Sequence, residues 1–535
     1  MLTRRQLVAR SGAAGAAVVL APHAARAKVF RGGRFHQGVL SGDPTPHGIT
    51  LLTLVDHVGG RGGVRLEVAR DPHFRHVVAH KTIATSAAHN HSVKARVQGL
   101  KAHERYWYRF ETRSEHSPVG RFQTALPPDS RLPVKFAFFS CADYTHGFYN
   151  AYELMAREDV DFIVCLGDYI YAETYHTRKD GTGVRDDRTG HPATAQNTQE
   201  NNITREARTL KDYRAKYALY RTDPHLRRLH ASLPMVTIWD DHEVQDNYAG
   251  HAPGGGLPAF KDYSTARKRA AYKAFFEAMP FFPSGRTRIY RALRFGRTVD
   301  LVLLDERQYR DDQPCNDAVE PPCTQLNNPR AFLGPTQLAW AKRRLSASKA
   351  AWKVIGNEVM MMDAIVTNNA YFGYDNWQGY PTEREELLQH VKGIQDVIFI
   401  TGDIHTFIAG DVRTNQSRGE NVAVEFVGGS ITSQGLGELD LDAGGGVVIH
   451  GNDRNPHTDP ALIATLRAIN PWVDQADFDH HGYAVVKATQ TGFECTLKRL
   501  KTIKKRSTAT LPAHDFTYHV ARGQRSIKGV HGPKS

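Results

Sequence analysis

The spacing of apolar and polar residues divides the chain into two parts. Residues 36–127 carry short alternating runs rich in Val, Tyr and Phe, such as GVRLEVARD and RYWYRFETR, separated by Gly, Pro or charged turns. A period of two residues is typical of β-strands with one buried face. The pattern therefore predicts a small all-β N-terminal domain over residues 36–127, a β-sandwich of the immunoglobulin or fibronectin type.

A different pattern begins at residue 134. Continuous apolar runs, among them VDFIVCLGD, MVTIWDD and DVIFITGDIH, alternate with segments of helical periodicity such as YSTARKRAAYKAFFEAMP. Strands that alternate with amphipathic helices indicate an α/β domain whose helices cover the sheet. Because the stretch LPPDSRLP at 126–133 has the composition of a linker, we predict a second domain over residues 134–525.

Residues 1–27 have the pattern of a signal peptide. Adjacent Arg4 and Arg5 precede the weakly apolar run SGAAGAAVVLA and a small-residue ending at 25–27, which predicts cleavage before Lys28. The paired arginines predict export by the twin-arginine machinery, and hence a periplasmic or secreted protein. The alternative is a cytosolic protein with a disordered basic start. No apolar run reaches the roughly 18 residues of a membrane span, so we predict no transmembrane segment.

The charge of the chain is basic. The net charge is +13, and about +9 remains once the four arginines of residues 1–27 are subtracted. A basic surface suits anionic substrates or an envelope with acidic polymers, although it can also serve solubility alone. No basic run is interleaved with aromatic residues, so we predict no nucleic-acid-binding module.

Five cysteines are too few for a disulfide scaffold. Cys315 and Cys323 bracket a polar, proline-containing loop and could pair in an oxidising compartment. Cys165 lies within an apolar run and is predicted to be a core residue, whereas the role of Cys495 is open. Cys141 differs from these because it follows the end of a predicted strand.

Polar clusters follow four of the predicted strands. They comprise Cys141 and Asp143 after FAFFS, Asp168 and Tyr171 after FIVCLG, Asp241 and His242 in WDDHE, and Asp403 and His405 after VIFITG. Side chains at the carboxyl ends of neighbouring strands converge on one crevice. Carboxylates and phenolate suit hard ions and imidazole suits borderline ones, so the set predicts a binuclear metal site. Solvated turns would not explain four such clusters.

Two other kinds of enzyme are disfavoured by the absence of their motifs. The chain has no Gly-x-Ser-x-Gly elbow and no phosphate loop ending in Gly-Lys-Ser/Thr. These absences argue against a serine hydrolase and against a nucleotide-driven enzyme.

Several motifs, in order, resemble those of the PhoD-like alkaline phosphatases, a branch of the metallophosphoesterase superfamily. They are GVLSGDP, SCADY, GDYIY, WDDHE, LDERQYR, LGPTQLAW, WKVIGNEV, WQGYP, GDIH and HGYAVV. The resemblance covers nearly the whole chain. It implies an α/β fold with a two-sheet αββα core behind the all-β N-terminal domain.

The resemblance also implies a site that holds Fe³⁺ and Ca²⁺. On the matching positions, Asp168 would bridge the two metals, and Cys141 and Tyr171 would be thiolate and phenolate ligands of iron. Asp403 would complete that side, with His405 as a further candidate.

The remaining matching positions have less settled roles. Asp241 stands where the wider superfamily carries an asparagine, and would reach the second metal or the phosphate. His242 would be an acid or an electrostatic group, and Asp143 a further metal ligand. Asn357 could face the site, but a loop amide bonded to backbone is the favoured interpretation.

The implied function is an exported phosphatase that hydrolyses phosphomonoesters, and phosphodiesters as well, with a water molecule activated by two metals. Two alternatives remain open from the sequence. One is a phospholipase D-like phosphodiesterase, and the other is a non-catalytic protein that binds anionic polymers and keeps its metals for structure.

Overall fold

The computed structural model describes most of the chain. Statements about the structure concern residues 28–179, 181–253, 263–317, 323–367, 370–371, 373–415, 418–438, 440–442, 448–450, 458 and 460–531. The predicted signal peptide, residues 1–27, lies outside the described residues.

Strands account for most of the regular structure. In chain order they are β1 (Val39–Thr45), β2 (Gly48–Leu54), β3 (Arg61–Ala69), β4 (Val77–Ser86), β5 (Ser92–Gln98), β6 (Arg105–Glu111), β7 (Gly120–Gln123), β8 (Val134–Phe139), β9 (Phe162–Leu166), β10 (Glu173–Thr174), β11 (His191–Pro192), β12 (Arg205–Glu206), β13 (Met235–Ile238), β14 (Arg291–Phe295), β15 (Val299–Leu303), β16 (Trp352–Asn357), β17 (Ile365–Thr367), β18 (Ala370–Tyr371), β19 (Val397–Thr401), β20 (Phe407–Arg413), β21 (Asn421–Gly428), β22 (Asp440–Asp442), β23 (Val448–His450), β24 (Val473–Asp477), β25 (Gly482–Ala488), β26 (Gly492–Arg499), β27 (Phe516–Ala521) and β28 (Gly529–His531).

The α-helices lie mainly between the strands of the second part of the chain. They are α1 (Asn150–Met155), α2 (Ala195–Asn201), α3 (Leu210–Tyr220), α4 (Pro224–Ser232), α5 (Thr265–Ala278), α6 (Gly334–Ala347), α7 (Pro381–Lys392) and α8 (Pro460–Ile469). Local sequence fixes where several of them begin. Thr209 and Asp212 form a capping box at α3, and the Asp223 carboxylate accepts two backbone N–H groups at the start of α4.

Two large sheets form the centre of the molecule. The ten-stranded sheet has the order β28-β27-β26-β25-β8-β9-β13-β1-β2-β5, and the seven-stranded sheet has the order β14-β15-β16-β19-β21-β20-β24. Within them β8, β9 and β13 are parallel neighbours, as are β15, β16 and β19. The carboxyl ends of these parallel strands therefore share one edge of each sheet.

The two sheets pack face to face, with helices outside. Leu301 of β15 contributes to the core shared with the ten-stranded sheet, whereas its neighbour Val302 packs in a second core with α6 and α7. Strands buried on both faces read as continuous apolar runs, which is the pattern seen in the sequence. Residues of α1, α3, α4 and α5 pack on the ten-stranded sheet. The predicted two-sheet αββα core is thus confirmed.

The N-terminal region adds one further sheet, which packs on the β1, β2 and β5 end of the ten-stranded sheet. Strands β4-β3-β6-β7 form a separate sheet whose apolar face, including Val64 and Tyr108, packs against Leu51 and Val93 of β2 and β5. The layer of β1, β2 and β5 does not end there, because β1 pairs with β13 at Gly42 and Met235. A Cβ on Gly42 would lie 2.5 Å from the Met235 carbonyl oxygen, so this approach requires glycine.

The cysteines take three environments. Cys315 and Cys323 form a disulfide with their Cα atoms 6.0 Å apart. Cys165 lies in the core of β9, as predicted, and Cys495 is buried in β26. Cys141 is also buried, but it lies at the end of β8 among the polar clusters.

Candidate metal centre

The four polar clusters of the sequence lie at the ends of strands from both sheets. Cys141 follows β8, Asp168 and Tyr171 follow β9, and Asp241 follows β13 in the ten-stranded sheet. Asp403 follows β19 in the seven-stranded sheet. Three overlapping groups of ligand atoms, each group within 4.8 Å, connect these clusters into one centre.

The first group contains the thiol, the bridging candidate and an imidazole. Ligand atoms of Cys141, Asp168 and His405 lie within 4.8 Å of one another. The Tyr171 hydroxyl lies 3.3 Å from Asp168 Oδ2 and 3.0 Å from His405 Nε2. His405 Nδ1 contacts the Gln434 carbonyl oxygen at 2.9 Å, so Nδ1 carries the proton and Nε2 turns its lone pair to the centre.

Asp168 also belongs to the second group, in which it meets Asp241 and His242. The third group of ligand atoms belongs to Asp240, Asp241 and Asp403. His242 Nδ1 donates to Glu173 Oε2 at 3.0 Å, and the His242 ring stacks on Tyr171 with centroids 4.0 Å apart. Asp168 therefore lies between the sulfur side and the carboxylate side of the centre.

Two residues that the sequence named as site candidates have side chains engaged in other hydrogen bonds. The Asp143 carboxylate accepts from Thr145 and lies 3.8 Å from His176, and within the described residues it is in none of the three groups. Its backbone N–H nonetheless donates to Ser433 Oγ, which in turn donates to the Tyr171 hydroxyl. The Asn357 amide donates to the Val359 carbonyl oxygen, in agreement with the favoured interpretation of a structural amide.

Sequence reasoning missed a buried cation in the centre. Arg307, which is fully buried, lies 3.2 Å from Asp241, 3.3 Å from Asp403 and 2.6 Å from Asp375, and it also pairs with Asp240. It follows β15 within LDERQYR, so the rule of polar residues after a strand could have found it. Asp375 follows no strand of the two large sheets and gave no such signal.

The backbone of the centre is unusual at four positions. Cys141, Asp168, Asp403 and His405 have φ values of 59°, 52°, 65° and 56°, in the left-handed region that most non-glycine residues avoid. Such conformations persist where the surroundings impose them, and they cluster at functional sites. The turn after each strand thus aims the side chain into the shared crevice at a cost in local stability.

Burial and crowding of like charges control protonation in the centre. Burial, with the neighbouring Asp241, raises the pKa of Asp168 well above its usual value, and burial raises that of Asp403 to about 7. Burial also disfavours the charged form of Asp241, but Arg307 and His242 lower its pKa to about 2. Burial of His242 is outweighed by Asp241 and Asp168, which raise its pKa well above the usual value.

These residues fit bound cations. Asp240 Oδ2 and Asp241 Oδ1 are buried without a hydrogen-bond partner, although Arg307 stands near Asp241. Buried unsatisfied carboxylate oxygens are costly, and a cation beside them removes both the repulsion and the missing contact. The donor set of thiolate, phenolate, carboxylate and imidazole is one that metal ions accept.

Comparison with known families identifies the family of this chain. The family model described as "PhoD-like phosphatase" matches residues 136–497, and that described as "PhoD-like phosphatase, N-terminal domain" matches residues 21–126. The chain belongs to the PhoD-like phosphatase family. It is 37% identical over 426 residues to alkaline phosphatase D of Bacillus subtilis (strain 168), across 75% of this chain and 70% of that protein.

Solved structures place this PhoD-like chain in the same fold. The structure titled "Structure of PhoD" aligns with a TM-score of 0.79 at 31% identity, over 94% of this chain and 92% of that one. A purple acid phosphatase from yellow lupin (Lupinus luteus) seeds aligns with a TM-score of 0.53 at 10% identity, over 90% of this chain and 73% of that one. The second match shows the fold alone. No helix among the described residues is long and apolar enough to span a bilayer.

Proposed function

We propose that this PhoD-like protein is an exported, metal-dependent alkaline phosphatase that hydrolyses phosphomonoesters and also phosphodiesters. The observation that carries the proposal is the convergence of Cys141, Asp168, Tyr171, Asp241 and Asp403 from four strand ends on one crevice. Membership of the family supports the reaction class. Export by the twin-arginine machinery rests on the sequence of residues 1–27.

The chemistry of the donors supports Fe³⁺ on one side of the centre. Cys141, Tyr171 and Asp168 would hold it, together with Asp403 or His405. Phenolate is a strong hard donor that favours the trivalent state, so iron held there would serve as a Lewis acid without redox cycling. The thiol of Cys141 is buried and its pKa is raised by burial and by Asp168, so it needs a cation to become a thiolate.

The carboxylate side of the centre supports Ca²⁺. Asp168 would be shared, and Asp241 and Asp403 would add the oxygen ligands that calcium prefers. Asp143 is kept as a more distant candidate, because its carboxylate is engaged by Thr145. Metal ions held by these residues would supply positive charge for the phosphate oxygens and would acidify the attacking water molecule.

His242 is proposed to hold a proton for the leaving oxygen. Glu173 accepts from Nδ1 and fixes the ring, so Nε2 faces the crevice beside Asp241 at 3.7 Å from Oδ2. The stack on Tyr171 limits rotation of the ring. Glu173 is itself buried and contacts Arg267, so the pair is held in place from behind. Positioned acid catalysis of this kind contributes roughly 10²–10⁴-fold to a rate.

The test compares two substrates on the purified full-length protein. A chromogenic phosphomonoester and a chromogenic phosphodiester are assayed with and without chelator, using the exposed Asp186→Asn variant as a control for Asp168→Asn. We expect turnover of both esters that is lost with chelator and in Asp168→Asn only. Turnover of the phosphodiester alone would favour the phospholipase D-like alternative. Turnover of neither ester would favour the non-catalytic protein that binds anionic polymers.

A further inference from the structure

A second cluster of metal-ligating side chains lies outside the candidate metal centre. His146, Glu438 and His481 place one ligand atom each within 4.8 Å of the others, and all three are buried. They come from three separate parts of the chain, before α1, after β21 and before β25. The proposed hydrolysis gives these three residues no role. Their hydrogen bonds show which nitrogen and oxygen atoms are able to bind a metal ion.

The tautomer of His146 follows from its neighbours. Its Nδ1 lies 2.6 Å from the carbonyl oxygen of Thr432, which can only accept, so Nδ1 carries the hydrogen. Nε2 of the neutral ring is then an acceptor. Lys504 Nζ lies 2.7 Å from it, as expected for an ammonium that donates to that nitrogen.

The tautomer of His481 also follows from its neighbours. Its Nδ1 lies 2.9 Å from Ser430 Oγ, and the Ser430 hydroxyl donates its own hydrogen to the Ser433 carbonyl oxygen at 2.7 Å. Nδ1 is therefore the donor to Ser430. Nε2 faces Glu438 Oε2 at 3.1 Å, and a nitrogen lone pair against a carboxylate oxygen requires a cation between them, either a proton or a metal ion.

We propose that His146, Glu438 and His481 form a second metal site, which binds a divalent transition-metal ion of the zinc class. Histidine ligands are typically held by a hydrogen bond from the other ring nitrogen, as Thr432 and Ser430 hold these two. Two imidazole nitrogens and one carboxylate suit Zn²⁺ and its neighbours, whereas Ca²⁺ takes oxygen ligands. Three protein ligands leave a fourth position for water.

The surroundings provide access to this site and a competing cation. A cavity of about 280 Å³ is lined by Glu438, His481 and Lys504, among others. The Lys504 ammonium lies 3.8 Å from Glu438 Oε1, and its side chain is 25% exposed, so it can withdraw into solvent. Lys504 thus supplies positive charge where the metal ion would bind, and it lowers the affinity of the site for that ion.

A metal ion in the second site would influence the candidate metal centre through one loop that contacts both. Residues 430–438, which we call the bridging loop, supply Thr432 and Glu438 to the second site. The same loop places Ser433 Oγ 2.6 Å from the Tyr171 hydroxyl and the Gln434 carbonyl oxygen 2.9 Å from His405. An ion held by Glu438 restrains the loop that orients both of these residues.

The direct test is anomalous diffraction at the zinc edge from crystals of the full-length protein soaked in zinc chloride. We expect a peak about 2.0–2.2 Å from His146 Nε2, His481 Nε2 and a Glu438 oxygen. The peak should be lost in His481→Gln and kept in the matched control His480→Gln, whose ring lines the same cavity but pairs with Asp477. Zinc at the candidate centre with none at this cluster would overturn the proposal, as would a peak unchanged in His481→Gln.

A second variant tests the site where loss of a histidine could simply unfold the protein. Lys504→Met removes the competing ammonium, so zinc affinity measured against a chromophoric chelator should rise about tenfold, the lower range of effects from residues around a metal's ligands. The gain should vanish in the Lys504→Met/His481→Gln double variant. Equal affinities of wild type and Lys504→Met, or a gain that survives in the double variant, would contradict the proposal.

Discussion

Arg307 is the buried cation of the candidate metal centre. Its replacement by Met removes the charge and keeps much of the side-chain volume. The guanidinium contacts four carboxylates, three of them at 2.6, 3.2 and 3.3 Å, and is fully buried. Removing one partner of a buried ion pair costs about 3–5 kcal/mol, because the other charge stays buried without compensation. Arg307→Met should therefore lower the free energy of unfolding by at least about 3 kcal/mol in chelator.

Two conditions should stabilise the Arg307→Met variant itself. Millimolar Ca²⁺ should stabilise Arg307→Met, by about 2.7 kcal/mol where the free ion exceeds its dissociation constant a hundredfold. Lower pH should act in the same direction. A carboxyl whose folded pKa is raised, as burial raises that of Asp403 to about 7, costs stability while ionised and regains it on protonation.

The assay is guanidinium unfolding followed by tryptophan fluorescence, in chelator and in Ca²⁺, at pH 8 and pH 6. Arg228→Met is the matched control, because Arg228 is 56% exposed and its buried partner Glu153 also pairs with Arg157. Because Glu153 keeps Arg157 in this variant, the loss of the exposed Arg228 should cost only about 0–1 kcal/mol. Unfolding midpoints of Arg307→Met and Arg228→Met that coincide in chelator would refute the view that Arg307 balances the carboxylates of the centre.

The proposed iron ligand Tyr171, the proposed calcium ion and the pair of Asp477 with the buried Arg499 can each be tested. Tyr171→Phe should abolish the visible absorption of an iron–phenolate and most of the activity, while Tyr175→Phe should keep both; a colourless, active wild type would count against the assignment. Removal of calcium should lower phosphatase turnover, and its return should restore turnover, since oxygen ligands exchange this ion readily; unchanged turnover would exclude calcium from the reaction. Asp477→Asn should destabilise the fold by about 3–5 kcal/mol at pH 7, because it leaves Arg499 buried and unpaired. Burial disfavours the Asp477 anion, but His480 and Arg499 lower its pKa below its usual value. The difference in unfolding free energy between wild type and Asp477→Asn should therefore hold above about pH 4 and fade in acid. A difference that grows in acid would contradict this.

Much of the centre could be predicted because the chain marks it locally. An apolar run followed at once by Asp or His, as at Asp168 and Asp403, reports both a strand and its carboxyl end. Parallel strands bring those ends to one edge of a sheet, so neighbouring clusters must meet there. The helix-covered sheets could be predicted in the same way, since β9 and β19 are apolar on both faces.

Other features depend on pairings that no local pattern encodes. The contact of β1 with β13 joins residues 42 and 235, which lie far apart in the sequence. Its local sign is the glycine at position 42, where the two strands pack closely. Arg307 belongs to a motif at a strand end, but its role depends on carboxylates from three other parts of the chain. The left-handed backbone at Cys141 and His405 is imposed by tertiary contacts, not by residue type.

Metal content measured together with turnover tests the central claim most directly. Elemental analysis and phosphomonoester hydrolysis are determined on the same preparations of wild type, Asp168→Asn and the exposed control Asp186→Asn. We predict that wild type and Asp186→Asn carry iron and calcium and hydrolyse the ester, while Asp168→Asn loses both metals and the activity. Wild-type protein stripped of iron and calcium that still hydrolyses the ester at its full rate would contradict it.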